Sequence, residues 1–232
     1  MASWSTCSTR SRTTGASRSR SWSTTPRRCT ASRRCNRTSG RSIAMQDDLL
    51  RQLHAFGAVA ESGGIRPSSL VLARSPATST RAVARMERIL AVMLFERTVG
   101  GMRLTPAGAG VLARARRIRD ELAAVHAQAL DSCQRAGPVA ALSALFNERR
   151  LQLAVALALL GRMPDVAQLA DVSQPAVSQA IARLEADLGQ PVFVRGGPRM
   201  EPTDIGSRWI IHFTRVLHEL QQLRQCAGAY RP

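Results

Sequence analysis

Residues 173–195 read SQPAVSQAIARLEADLGQPVFVR, and residues 75–97, which lie 98 positions earlier, read SPATSTRAVARMERILAVMLFER. The two stretches align without a gap. The match continues through three further identical pairs, Met102 with Met200, Thr105 with Thr203 and Gly108 with Gly206. The same offset is kept across residues that predict helices, turns and strands, which indicates two copies of one fold. A period of 98 residues is too long for a solenoid repeat and fits two small domains in tandem.

In the first copy the spacing of apolar residues predicts three helices. One face of the first helix carries residues at intervals of three and four, namely Leu49, Leu53, Phe56 and Ala60. We expect a second helix to begin at Pro67 or Ser68. Ser75 is a good N-cap for a third helix that ends near Leu90, because a serine hydroxyl accepts a hydrogen bond from a free backbone N–H.

Two short strands and a long helix complete the first copy. Strands from Met93 to Arg97 and from Met102 to Leu104 flank Gly100-Gly101, and Thr105-Pro106 begins a helix that runs toward Leu130. The second copy repeats the same order, with helices expected at 151–160, from 164 and from 174 to 188, strands at 192–195 and 200–201, and a last helix from 203 to 228. Three short helices followed by a two-stranded hairpin form a winged helix-turn-helix.

The predicted fold class is therefore mainly α. It consists of two tandem winged helix-turn-helix domains, each followed by a long linker helix, with short two-stranded β-wings. The predicted boundaries are 1–44 for an Arg/Ser/Thr-rich segment, 45–105 for the first winged domain, 106–140 for its linker helix and connector, 141–203 for the second winged domain and 204–232 for its linker helix.

The formal net charge of +17 is unevenly distributed. Residues 1–44 hold ten Arg and no Asp or Glu, and few aliphatic residues. This segment fits a basic disordered arm, a transit peptide or a start codon assigned too early, and we favour the last, because Met45 opens a credible domain. The remaining charge of +7 suggests an anionic partner, either nucleic acid or a membrane surface.

Several functional classes find no support in the sequence. The five Cys and four His have no metal-ligand spacing, and an odd number of Cys does not suggest a disulfide framework. We find no nucleophile–base pair and no phosphate loop, so we expect neither an enzyme nor a cofactor. The longest apolar run, Leu153 to Leu160, is too short to cross a bilayer, and we expect no membrane partner.

The stretch from Val172 to Arg195 closely resembles the DNA-binding domain of LysR-type bacterial transcriptional regulators. The first copy resembles it through Arg85-Met86-Glu87, Leu94 to Thr98 and Met102 to Gly108. With the trailing helices, the resemblance covers residues 46–227. It implies a cytoplasmic, nucleoid-associated regulator of transcription whose third helices enter major grooves of double-stranded DNA.

The start of the third helix in the second copy has side chains suited to base contact. Gln174 can pair bidentately with adenine, Ser178 can donate or accept, and an apolar neighbour can contact a thymine methyl group. Free N–H groups at a helix start also favour a phosphate. The candidate DNA-binding residues are Ser173, Gln174, Pro175, Ala176, Ser178, Gln179, Arg183, Thr80, Arg81, Arg103 and Arg199. We place Arg103 and Arg199 at the hairpin tips, where the wing of the family meets phosphate or minor groove; solvated side chains are the alternative.

The first copy departs from the pattern at three positions. Pro76 replaces the Gln, Thr80 replaces the Ser, and Ser79 stands where a buried Val is expected, while Arg81 remains available for guanine or phosphate. We expect a weaker or different sequence preference from this copy. The alternative is a non-catalytic protein-interaction or dimerisation module built on winged helices.

Members of the family usually continue into an effector-binding domain of roughly two hundred residues. This chain looks like a member with two winged domains, cut short before that domain, so no effector pocket can be assigned. The two long helices carry apolar stripes that need cover, and the residues concerned are Leu112, Ile118, Leu122 and Val125, then Ile211, Val216, Leu220 and Leu223. We predict an intramolecular pseudo-dimer through these helices, with a homodimer through the same faces as the alternative.

Overall fold

The computed structural model describes residues 48–98, 101–132, 138–197 and 199–229; the interpretations of residues 1–44 concern a segment outside these ranges. The described part is mainly helical, with two small antiparallel sheets. The first half contains α1 (Leu49–Glu61), α2 (Ile65–Val71), α3 (Pro76–Leu90), β1 (Phe95–Thr98), β2 (Gly101–Leu104) and α4 (Pro106–Ser132). The second half contains a 3-10 helix (Leu142–Leu145), α5 (Glu148–Leu160), α6 (Met163–Ala170), α7 (Gln174–Leu188), β3 (Phe193–Val194), β4 (Glu201–Pro202) and α8 (Asp204–Ala229).

Two helices begin earlier than the sequence predicts. The second helix starts at Ile65 instead of Pro67 or Ser68, and the hydroxyls of Ser68 and Ser69 both donate to the Ile65 carbonyl within it, at 2.8 and 2.7 Å. Helix α5 starts at Glu148 instead of Leu151, because the side chain of Asn147 accepts a hydrogen bond from the Arg150 N–H at 3.1 Å and caps it.

The second hairpin is shorter than expected and shifted along the chain. Phe193 pairs with Pro202, and Val194 pairs with Glu201, so Met200 lies outside the ladder. Its N–H instead donates to the Gly161 carbonyl at 2.8 Å. This bond ties the chain before β4 to the loop between α5 and α6.

A glutamate, half-buried in the first half and buried in the second, fastens the third helix of each half to the strand that follows it. Glu87 Oε1 accepts hydrogen bonds from the N–H groups of Leu94 and Phe95, at 2.8 and 3.3 Å. The equivalent carboxylate in the second half is Glu185, which accepts at 2.9 and 3.2 Å from Val192 and Phe193. Phe95 and Phe193 are both buried and belong to the hydrophobic core.

Each long helix is docked onto its hairpin in the same way. The Thr105 hydroxyl caps α4, accepting from the Gly108 N–H at 2.9 Å, and the Thr203 hydroxyl accepts from the Gly206 N–H at 3.0 Å. A Cβ atom placed on Gly108 or Gly206 would lie 2.1 Å from the preceding strand segment's carbonyl oxygen, on Leu94 or Val192 respectively. Only glycine permits this close approach of helix to backbone.

Helices α4 and α8 pack against each other in antiparallel orientation, and we call this contact the helix seam. Arg114 Nη1 lies 2.8 Å from Glu219 Oε2, and Arg117 Nε lies 2.9 Å from Glu219 Oε1. The hydrogen bond from Arg117 holds the pKa of the Glu219 carboxyl below its ordinary value. On the other side of the seam, His212 Nδ1 lies 2.5 Å from Glu121 Oε2, and Arg215 Nη1 lies 3.4 Å from Glu121 Oε1.

These ion pairs obey the 98-residue offset. Arg114 corresponds to His212, Arg117 to Arg215, and Glu121 to Glu219. An antiparallel contact in which each pair recurs with its two ends exchanged has approximate two-fold symmetry. The helix seam therefore has a pseudo-two-fold axis, which exchanges α4 and α8.

The predicted apolar stripes of the seam hold with one exception. Ile211 is 54% exposed, so assigning it to the buried stripe was wrong. The stripe instead continues through residues spaced at four, three and four, which are Trp209, Phe213, Val216 and Leu220. Ile211 falls between these positions and faces solvent.

Candidate nucleic-acid interface

The third helix of each half begins with the same cap. Ser75 Oγ accepts a hydrogen bond from the Thr78 N–H at 3.3 Å, and Ser173 Oγ accepts one from the Ala176 N–H at 3.4 Å. Both serines have extended backbone, and a proline occupies the first turn of each helix. Neither first turn contains an acidic residue, so both helix starts can accept a phosphate.

The start of α7 presents a continuous polar surface to solvent. Val177 is fully buried and fixes the rotation of the helix. The candidate residues around it are all exposed, namely Ser173, Gln174, Pro175, Ala176, Ser178 and Gln179, and Arg183 is exposed one turn further on. The structure thus brings seven of the predicted residues together on one helical edge.

The start of α3 is exposed as well, but its chemistry differs. The Thr80 hydroxyl donates to the Pro76 carbonyl at 3.0 Å, so toward DNA it can act only as an acceptor. Arg81 Nε donates to the Ala77 carbonyl at 3.2 Å, which holds the side chain along the helix. Ser79 is buried at the position of Val177, and its hydroxyl has no partner among the described residues.

Arg103 does not lie where the sequence suggested, whereas Arg199 does lie in the loop between β3 and β4. Arg103 belongs to β2 and pairs across the ladder with Glu96, so placing it at the hairpin tip was wrong. Arg199 folds back instead of extending outward: its Nη2 donates to the Leu160 carbonyl at 3.1 Å, at the carboxyl end of α5. Arg195 is also engaged within the domain, since its Nη2 lies 2.7 Å from Glu185 Oε2.

Sequence reasoning paired Glu87 with Glu185 but assigned them no role. In the structure these carboxylates hold the helix that carries the candidate residues against the hairpin. Their identity at the 98-residue offset is the signal that could have revealed this role. Replacing either glutamate by a residue with a short side chain would leave the two N–H groups that it binds without an acceptor.

The described ranges contain no cluster of three or more His, Cys, Asp or Glu able to hold a metal ion. No described helix is both long and apolar enough to span a bilayer. A cavity of about 660 Å³ lies beside α1 and α4, and Arg74, Arg116 and Phe146 are among its lining residues. None of its lining residues belongs to α3 or α7.

Comparison with known proteins agrees with this geometry. The family model of bacterial regulatory helix-turn-helix proteins, lysR family, matches twice, at residues 50–109 and 149–207. The HTH-type transcriptional regulator GalR of Pseudomonas putida is 40% identical over 174 residues, which are 75% of this chain and 42% of that protein.

Two further relatives match over shorter lengths. The nitrogen assimilation regulatory protein nac of Escherichia coli is 33% identical over 76 residues, 33% of this chain and 25% of that protein. The HTH-type transcriptional regulator TfdS of Cupriavidus pinatubonensis is 44% identical over 68 residues, 29% of this chain and 23% of that protein. The chain spans less than half the length of these curated relatives.

Proposed function

We propose, on the premise that this chain belongs to the LysR family of bacterial regulatory helix-turn-helix proteins, that it regulates transcription by binding a specific double-stranded DNA sequence. The observation that carries the proposal is the start of α7, where exposed Gln174 and Ser178 flank buried Val177. An amide and a hydroxyl held at a capped helix start can contact base edges in a major groove. Such a regulator would act in the cytoplasm, at the nucleoid.

We also propose that both halves are winged helix-turn-helix domains, at 45–105 and 141–203. The family model matches each half separately. The alignment with GalR supports this arrangement, because 174 of 232 residues necessarily include part of each matched range. Helices α4 and α8, within the proposed linker segments 106–140 and 204–232, follow the two domains in equivalent positions.

The oligomeric arrangement that fits the helix seam is an intramolecular pseudo-dimer. Each long helix covers the apolar stripe of the other within one chain, and the ion pairs at Glu121 and Glu219 complete the contact. A homodimer that exchanges these helices between chains is the alternative. Both arrangements offer two third helices to DNA.

The proposed contacts divide into base contacts and phosphate contacts. Gln174, Ser178 and Gln179 have side chains that can hydrogen-bond base edges, and Pro175 and Ala176 can pack on a thymine methyl group. Ser173, Arg103, Arg183 and Arg199 suit phosphate or sugar contacts, which set position without selecting sequence. Thr80 can instead accept a hydrogen bond from a base amino group. For Arg199 such a contact competes with its bond to the Leu160 carbonyl.

The test is a binding comparison between a selected DNA site and random DNA of the same length. Gln174→Ala should weaken binding to the selected site by about 1–3 kcal/mol and relax one base position, while binding to random DNA stays unchanged. Fluorescence anisotropy at fixed salt measures both affinities. Gln221→Ala, an exposed glutamine on α8, is the matched control and should change neither.

Equal losses on both DNAs would show that Gln174 contacts phosphate and does not select a base. If the unsubstituted chain distinguishes no site and its affinity does not fall with salt, the protein-interaction alternative is favoured. Phosphate contact predicts a log–log salt slope of about −0.9 for each phosphate neutralised.

A further inference from the structure

The pseudo-two-fold axis of the seam constrains the DNA that one chain can bind. The axis exchanges the ends of the ion pairs that join α4 to α8, and we extend it to α3 and α7, because equivalent glutamates and threonine caps tie each of them to its hairpin and long helix. A dyad-related pair of recognition helices matches two half-sites in inverted orientation. In an ordinary homodimer the two helices are identical, and the half-sites are therefore identical too.

In this chain the two helix starts are not identical. Pro76 stands where the second half has Gln174, so α3 lacks the amide that could pair with adenine. Arg81 stands where the second half has Gln179, and both are exposed. The scaffolds agree while the surfaces that face outward differ.

Arg81 is placed to contact a base. Its Nε bond to the Ala77 carbonyl directs the guanidinium along the exposed edge of α3. The two terminal nitrogens of Arg81 have no partner among the described residues. A guanidinium with two free nitrogens can bind O6 and N7 of guanine bidentately.

We infer that one chain recognises an asymmetric DNA site, made of two inverted half-sites with different sequences. The half-site under α7 contains an adenine contacted by Gln174, and the half-site under α3 contains a guanine contacted by Arg81. This inference rests on the proposed function, because it requires that both helices bind DNA.

The experiment is a binding-site selection from random double-stranded DNA with the full 232-residue chain. The expected motif has two unlike halves. Gln174→Ala should remove information from one half only, and Arg81→Ala from the other half only, each with a loss of about tenfold to hundredfold in affinity for the selected site. Both side chains are exposed, so the thermal unfolding of each variant should match that of the unsubstituted chain.

A transplant variant tests the same inference in the opposite direction. Five changes, Pro76→Gln, Ala77→Pro, Thr78→Ala, Thr80→Ser and Arg81→Gln, together give the start of α3 the exposed side chains of α7, and buried Ser79 is left in place. This variant should prefer a palindrome built from two copies of the α7 half-site over the asymmetric site. The unsubstituted chain should show the reverse preference.

The outcomes separate the inference from the function on which it rests. A palindromic motif for the unsubstituted chain would mean that two chains present two α7 helices, and it would overturn the inference alone. A single half-site, insensitive to Arg81→Ala, would also overturn it, because α3 would then contribute no base contact. Selection of no motif would overturn the proposed function together with the inference.

Discussion

The two halves of this chain share the contacts that hold their helices and hairpins together. They differ in the side chains exposed at the starts of α3 and α7. The contacts of Glu87, Thr105 and Gly108 recur at Glu185, Thr203 and Gly206 with distances that agree to about 0.1 Å for the cap and the glutamate. The starts of α3 and α7 share the serine cap, a proline in the first turn and their exposure, but they differ in the side chains that could read bases. A scaffold that tolerates such divergence depends on a few buried contacts, and the exposed edge is free to change without loss of the fold.

The glycines provide the most severe test of this comparison. Gly108→Ala and Gly206→Ala should each destabilise the protein by more than about 3 kcal/mol, because the new methyl group would lie 2.1 Å from a backbone carbonyl oxygen that cannot move away. Thermal and urea unfolding followed by circular dichroism would measure both. If the scaffold is equivalent in the two halves, the two losses should be of similar size.

Gly110→Ala is the matched control, since it lies two residues further along α4 and has open space around its Cα. Its substitution should stabilise the helix by about 1 kcal/mol. Tolerance of Gly108→Ala would show that α4 can shift away from the hairpin, and the close contact would then not be essential to the scaffold.

Glu148 provides a test at the junction between the halves. Its carboxylate is buried and receives Arg224 Nη2 of α8 at 2.7 and 2.8 Å. Burial raises the pKa of Glu148, while Arg224 acts to lower it, as does Leu50 of α1, the residue 98 positions before Glu148. Arg224→Ala should therefore destabilise the protein by about 3 kcal/mol near neutral pH, because it leaves a buried carboxylate without its cation.

The effect of Arg224→Ala should depend on pH in a defined direction. A carboxyl whose pKa is raised in the folded state binds its proton more tightly there, so its contribution to stability falls as pH rises above the unfolded value of about 4.3. The loss of stability caused by Arg224→Ala should be largest near neutral pH and should shrink as Glu148 becomes protonated. Melting temperatures measured between about pH 8 and pH 4.5 test this, with the double variant Glu148→Gln, Arg224→Ala as the control that should lose most of the pH dependence. A deficit that stays constant would show that Arg224 acts through packing alone.

The order of elements and the positions of the caps could be predicted from the sequence, because apolar spacing and N-cap residues are local signals. Helices α1 and α3 were confirmed, as were the starts of α4, α7 and α8. The early start of α5 was missed, since it depends on Asn147 bonding to a backbone N–H, and the early start of α2 was missed because that helix begins after Gly64 without a side-chain cap. The strand position of Arg103 and the bond of Arg199 to the Leu160 carbonyl were also missed, because strand register and the fold-back of a long side chain are set by tertiary contacts.

The pairing of charges across the seam was available in the sequence but was not recognised. Arg114, Arg117 and Glu121 repeat as His212, Arg215 and Glu219 at the same offset as the helix starts. Periodicity within one helix cannot show which other helix a charge faces. Comparing the two copies position by position shows that both helices carry the same pattern, and an antiparallel contact then brings opposite charges together.

The smallest expected effect concerns Ser79, the one buried position of the helix start at which the halves differ. Its hydroxyl has no partner among the described residues, whereas Val177 fills the equivalent site with an apolar side chain. Ser79→Val should raise the free energy of unfolding by about 1 kcal/mol, because it removes an unsatisfied hydroxyl and adds buried apolar surface. Ser79→Ala separates these causes, since it removes the hydroxyl without enlarging the side chain.

The reverse change, Val177→Ser, should destabilise α7 by about 1–3 kcal/mol. Neither Ser79 variant should alter DNA selectivity, because the position is buried. If Ser79→Val is destabilising while Ser79→Ala is neutral, the core of the first half has repacked around the smaller residue, and the two scaffolds are less alike than their shared contacts indicate.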